Sequence, residues 1–180
     1  MESIIADLRS WFLRREAALR IFAEHDSRVE GWFKGEMLLS MDWLRREHRI
    51  ESFEREFTLG DKGWGKKNQR KVDFRVQIQG KHYLCELKAV CTSQAYGTGR
   101  DIDFYFRPHS KVGLWKDFRK LESLPREESP WIVSFIYPAP TRERWNQTLL
   151  KWQESIGEWK CVTSLQDYPD WLFVACWKLR

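Results

Sequence analysis

The stretch 71-KVDFRVQIQGKHYLCELKAV-90 decides how the whole chain is read. In its first half Val72, Phe74, Val76 and Ile78 alternate with Asp73, Arg75 and Gln77, the period of two expected of a strand with one buried face. Gly80 and Lys81 interrupt the pattern and 82-HYLCELKAV-90 resumes it, so the spacing predicts a hairpin. Within the second strand Glu86 and Lys88 stand two residues apart, and residues at i and i+2 point to one side of a sheet. The hairpin allows Asp73 to come near Glu86, in a register that the sequence leaves open. Two carboxylates at the edge of an apolar sheet repel and demand a cation. Lys88 supplies one charge, and a divalent ion would supply the rest.

Working outward, 51-ESFEREFTL-59 alternates Phe53, Arg55, Phe57 and Leu59 with Glu54, Glu56 and Thr58, which predicts a third strand antiparallel to the hairpin. Upstream, Ile4, Ile5, Leu8, Trp11, Phe12, Leu19 and Phe22 predict one helix or two over 2–24. Val29, Trp32, Phe33, Leu38, Met41 and Leu44 predict another over 29–47, with Glu36 beside its apolar stripe. Downstream, 91–110 reads as a long loop, and Val112, Trp115, Phe118, Leu121 and Leu124 predict a helix over 110–124 with Ser110 as N-cap. The β-branched run 131-WIVSFIYP-138 reads as a central strand, 141–157 as a helix, and 158–165 and 171–179 as strands. With no repeat or linker, residues 1–180 are expected to form one domain.

Hydrophobic residues make up 42% of the chain and charged residues 32%, a globular balance with no window apolar enough for a membrane span. The first residues lack a signal peptide's order of basic, apolar and cleavage segments, so a cytoplasmic location is expected. Cys85, Cys91, Cys161 and Cys176 have no CxxC spacing and read as reduced thiols, and the histidines are scattered. The net charge of +5 favours a polyanionic partner. It concentrates in 61-DKGWGKKNQRK-71, where Lys62, Lys66, Lys67, Arg70 and Lys71 surround Trp64; this composition fits a solvated hairpin or a phosphate-contacting loop. Most of the 11 tryptophans fall on apolar stripes and read as core, Trp64 being the exception.

An ExK triplet is cheap, with about one expected by chance in a chain of this composition. Glu158-Trp-Lys160 is such a decoy, because no aspartate precedes it in 125–157. Glu86-Leu-Lys88 has Asp73 on the adjoining strand. Two carboxylates with water suit a hard octahedral ion, Mg²⁺ or Mn²⁺. Such an ion lowers the pKa of a bound water, which Lys88 could orient, or deprotonate if its own pKa were depressed.

In 72-VDF-74 followed by 86-ELK-88, after a helix bearing Glu36 and before a helix at 110–124, the chain resembles the PD-(D/E)xK nuclease superfamily over about residues 29–138. Val72 stands where that motif has proline. The resemblance implies an α/β fold with a restriction-endonuclease-like αβββαβ core, a mixed sheet flanked by helices, an extra N-terminal helix, and a C-terminal helix and strands. It implies Asp73 and Glu86 as Mg²⁺ (or Mn²⁺) ligands, Lys88 assisting the attacking water, and Glu36 binding the metal or positioning its waters, with Glu30 a competing helix carboxylate. Asp101 and Asp103 are second choices as ligands. The expected activity is that of a DNA endonuclease or other nuclease, a phosphodiester hydrolase, and double-strand cutting would call for a homodimer. Expected nucleic-acid contacts are Lys62, Trp64, Lys66, Lys67, Arg70, Lys71, Gln94, Arg100, Arg107 and Lys111. The alternative is a noncatalytic nucleic-acid-binding or assembly module on the same fold.

Overall fold

A computed structural model of the chain describes residues 1–25, 29–59, 71–93, 100–109, 113–124 and 129–179. Helices α1 (Ile5–Leu13), α2 (Glu16–Glu24) and α3 (Glu30–Arg46) precede strands β1 (Ser52–Thr58), β2 (Lys71–Ile78) and β3 (Lys81–Cys91). A 3-10 turn at Ile102–Phe106 and helix α4 (Leu114–Glu122) lead to β4 (Ser129–Tyr137). Helices α5 (Arg142–Lys151) and α6 (Gln153–Ile156) and strands β5 (Trp159–Cys161) and β6 (Phe173–Leu179) close the chain. The six strands form one mixed sheet in the order β1-β2-β3-β4-β6-β5. Among the described residues β3 and β4 pair in parallel and every other neighbour is antiparallel.

The period of two along each strand divides two cores. Cys85 and Leu87 of β3 and Trp131, Val133, Phe135 and Tyr137 of β4 pack with Phe12, Phe33, Met37 and Met41 of α1 and α3. Leu84 and Val90 of β3 and Ile132 and Ile136 of β4 pack with Phe118, Trp145, Ile156 and Trp177 on the opposite face. Phe33 stacks on Phe135 with ring centroids 4.4 Å apart, and burying a side chain of this size contributes about 2–3 kcal/mol. Glu86 and Lys88, in phase with Leu84, therefore lie on the α4 side of β3. Tryptophans 131, 145, 159, 171 and 177 are buried, and all four cysteines are free thiols.

Several boundaries differ from the sequence reading for local reasons. The β2–β3 turn is Gln79-Gly80, both at positive φ (51° and 74°), and Lys81 already pairs with Ile78. Two left-handed residues match the twist of the strands they join, which shifts the turn one position back. Helix α4 begins after Gly113, whose φ of 120° and close approach to Tyr105, with an added Cβ only 2.6 Å from its carbonyl oxygen, exclude any side chain. The segment 141–157 forms two helices divided at Trp152, capped at the start by Thr141, which accepts the Arg144 N–H at 3.2 Å. The strand expected over 158–165 is reduced to three residues at the sheet edge, followed by a 3-10 turn at Leu165–Asp167.

Candidate active site

The β2–β3 ladder runs from Ile78 opposite Lys81 to Phe74 opposite Cys85. The next positions in that register are Asp73 and Glu86. Asp73 Oδ2 accepts the Leu87 N–H at 2.8 Å, so its side chain takes a β3 donor where the backbone pairing ends. Its other oxygen lies 2.8 Å from Lys34 of α3. Glu86 Oε2 accepts from Lys120 of α4 at 2.7 Å, and Lys88 lies 3.0 Å from Asp117 Oδ2. Asp117 Oδ2 is buried, and this ion pair is the contact it makes among the described residues. Glu30, at the start of α3, links the halves: it is 3.2 Å from Lys34 and 3.9 Å from Lys88. Carboxylates Asp73, Glu30, Asp117 and Glu86 thus alternate with ammonium groups Lys34, Lys88 and Lys120 where α3 and α4 both reach the strands.

Burial shapes the charges. The side chains of Asp73 and Glu86 are each 13% exposed and that of Asp117 is 7% exposed. Desolvation pushes the Glu86 carboxyl above its ordinary pKa, the negative charge of Asp73 adds to this, and Lys120 only partly offsets it. Desolvation likewise raises Asp117 despite Lys88. Burial pulls Lys88 down, but Asp117, Glu30 and Glu86 together outweigh it and its pKa is raised. Lys34 is raised in the same way, burial being outweighed by Asp73 and Glu30.

Glu36 is not part of this cluster. Its carboxylate accepts from Trp11 Nε1 and Arg15 Nε, both at 2.9 Å, and ties α3 to α1. Six residues turn a helix by about 240°, so Glu30 and Glu36 cannot share a face. Glu30 extends the stripe of Phe33, Met37, Met41 and Leu44, which packs toward the sheet, and that spacing was the signal for it. Glu30 was the competing helix carboxylate of the sequence reading, whereas Asp117 and Lys120 escaped it. The signal for Asp117 lay inside the apolar stripe of α4, where it stands between Leu114 and Leu121, both buried.

The other expected residues lie apart from this cluster, beside it, or outside the described residues. Asp101 and Asp103 are engaged by Arg144 at 2.5 and 3.0 Å, and Asp103 also by Lys151 and Thr148, both at 2.6 Å. Arg100 and Arg107 lie over the Phe104 ring, 4.1 and 5.7 Å from its centroid. Lys71 begins β2 beside the site. Lys62, Trp64, Lys66, Lys67, Arg70, Gln94 and Lys111 lie outside the described residues. Glu158 and Lys160, the second ExK triplet, sit at β5, separated from β3 by β4 and β6.

Asp73 and Glu86 offer carboxylate oxygens, the donors a hard divalent cation takes, and the charge of Asp73 adds to the cost of ionising the buried Glu86. Among the described residues no set of three or more acidic, histidine or cysteine side chains gathers at metal-binding distance. An ion here would complete its shell with water and substrate oxygens, as Mg²⁺ does. Compared with protein-family models, curated proteins and solved structures, the chain matches none. Among the described residues no helix is long and apolar enough to cross a membrane.

Proposed function

We propose that this chain is a metal-dependent nuclease that hydrolyses phosphodiester bonds of DNA. The observation that supports the reading is that Asp73, Glu86 and Lys88 lie close enough, where the β2–β3 ladder ends, for Asp73 and Lys88 each to interact electrostatically with Glu86, with Glu30 of α3 3.9 Å from Lys88. The order α3, β1, β2, β3, α4, β4, with β3 and β4 parallel, supports the restriction-endonuclease-like reading of the core. Asp73 and Glu86 would hold Mg²⁺ or Mn²⁺, which supplies a Lewis acid and a water of lowered pKa. Glu30, rather than Glu36, is the helix carboxylate placed to orient waters at this position.

Lys88 has a narrower role than its residue type allows. A lysine acts as a base only when its pKa is depressed, whereas Asp117 and Glu30 hold this one protonated. It therefore donates: its ammonium orients a water or phosphate oxygen and offsets negative charge developing there. Asp117 and Glu30 keep that ammonium in place.

One observation favours the noncatalytic binding module as a second reading. Asp73 and Glu86 already carry lysine partners, Lys34 and Lys120, so their charge is partly neutralised without any metal. Incubation with supercoiled and linear DNA, with and without Mg²⁺ or Mn²⁺, separates the two. The nuclease reading expects divalent-dependent cleavage that Lys88→Ala lowers by about 100-fold or more in protein that circular dichroism shows to be folded, with a lowered melting temperature because the buried Asp117 loses its ion-pair partner. DNA binding with no cleavage and no heat of divalent-ion binding would leave the module instead.

A further inference from the structure

Helix α4 carries Lys116 and Lys120 at i and i+4, and its C-cap Ser123 continues the same face. With Lys71, Arg119, Glu86 and Asp117 they line an open groove of about 540 Å³ that contains two acids of the candidate site. The cations of this groove are engaged to very different degrees. Arg119 is held by Glu122 and by the Ser155 carbonyl oxygen at 3.1 Å. Lys120 is committed to Glu86. Among the described residues the ion-pair partner of Lys71 is the distant, exposed Glu56 at 3.9 Å, and Lys116 is exposed with no ion pair.

Two weakly engaged ammonium groups beside buried carboxylates are what an incoming polyanion needs. The phosphates of a nucleic-acid strand would be repelled by Glu86 and Asp117 unless cations flanked the approach, and each phosphate neutralised releases counterions to bulk solution. We propose that the α4 groove is the site where backbone phosphates of DNA are bound, with Lys71 and Lys116 as the direct contacts. Lys120 holds Glu86 between them. This deepens the nuclease reading and rests on it. It also moves part of the contact surface to α4, whose Lys116 was no part of the basic loop picked out by composition.

The experiment measures binding of a labelled DNA duplex by anisotropy across a salt series in EDTA, so that no cleavage intervenes. The proteins are the wild type, the Lys71→Ala/Lys116→Ala double variant, and Lys160→Ala on β5 as a control. Loss of two phosphate contacts lowers the slope of log affinity against log salt by about 1.8, from about 0.9 per contact, and the control leaves it unchanged. Both lysines of the groove pair are exposed, so the double variant keeps its melting temperature. An unchanged slope in the double variant, in a wild type that binds and cuts DNA, overturns the groove alone. An equal fall in Lys160→Ala also overturns it, because binding would then follow net charge. A wild type that binds no DNA overturns the groove and the nuclease reading together.

Discussion

Two acid–base clusters of similar composition behave oppositely in this molecule. In one, Asp101 and Asp103 meet Arg144, Lys151 and Thr148 between the 3-10 turn and α5. Burial pushes both carboxyls up, but hydrogen bonds from Arg144 and the Asp103 N–H to Asp101, and from Lys151 and Thr148 to Asp103, pull both below the ordinary range. In the other, Glu86 and Asp117 each have a lysine, yet burial leaves both raised. The first cluster is saturated with donors and holds the fold together. The second keeps acids under electrostatic stress, the condition in which a group gains most from a new cation. Carboxylates raised by burial beside a groove are candidates for function, whereas those lowered by several donors are candidates for structure.

The largest effect expected of this contrast is on stability. Asp103→Ala removes the acceptor of the fully buried Thr148 hydroxyl and the partner of Lys151, and should cost about 2 kcal/mol in urea unfolding; Lys151 and Arg144, partly exposed, regain water and keep the loss from being larger. A loss no greater than that of a surface substitution would remove the distinction between the clusters.

A smaller effect of opposite sign is expected of Glu86→Gln. It removes a charge that burial and Asp73 disfavour, and Lys120 lies at an open groove where water replaces its partner, so stability at neutral pH should change by about 1 kcal/mol or less, toward the more stable side. The sign with pH follows from linkage. A carboxyl with a raised folded pKa is protonated more readily in the folded than in the unfolded chain, so its penalty is absent below the ordinary value of 4.5 and develops as pH rises through the folded pKa. The advantage of Glu86→Gln should therefore shrink as pH is lowered toward 4.5. Asp101 and Asp103 act the other way: their contribution is present above the ordinary 3.8 and is lost as pH falls through their lowered folded values. Paired pH series of melting temperatures for Glu86→Gln and Asp103→Ala would show the two slopes, and parallel curves would contradict the contrast.

The finest test concerns a proton rather than the fold. Asp117 is the main charge that keeps Lys88 raised against its burial, so Asp117→Asn should lower the Lys88 pKa. Nitrogen-15 NMR of the lysine side chains across an alkaline titration reads this directly. A Lys88 resonance that titrates as in the wild type would show that Asp117 does not govern it.

Much of the architecture was legible before any coordinates. Alternation in 71–78 and 82–90 marks two strands, and the Glu86–Lys88 spacing places both charges on one face, because the side-chain period of a strand is a local property of the backbone. The helical stripes of α3 and α4 were legible for the same reason. Yet a stripe does not announce its rotation about the helix axis to within one side chain. The sequence reading accordingly favoured Glu36, while docking against Trp11 and Arg15 turns that residue to α1 and leaves Glu30 at the strands.

What the sequence by itself determined is therefore the set of local periods: which segments are strands or helices, and that Asp73, Glu86 and Lys88 belong to adjoining strands. Tertiary structure alone decided that β3 pairs in parallel with β4, and that α4 brings Asp117 and Lys120 over the ExK strand. It also decided that Lys88 is held protonated instead of being freed as a base. The physical reason is range. Backbone periodicity acts between near neighbours in the chain, whereas the charge state of Lys88 is set by Asp117, 29 positions away in sequence (117 minus 88) and 3.0 Å away in space.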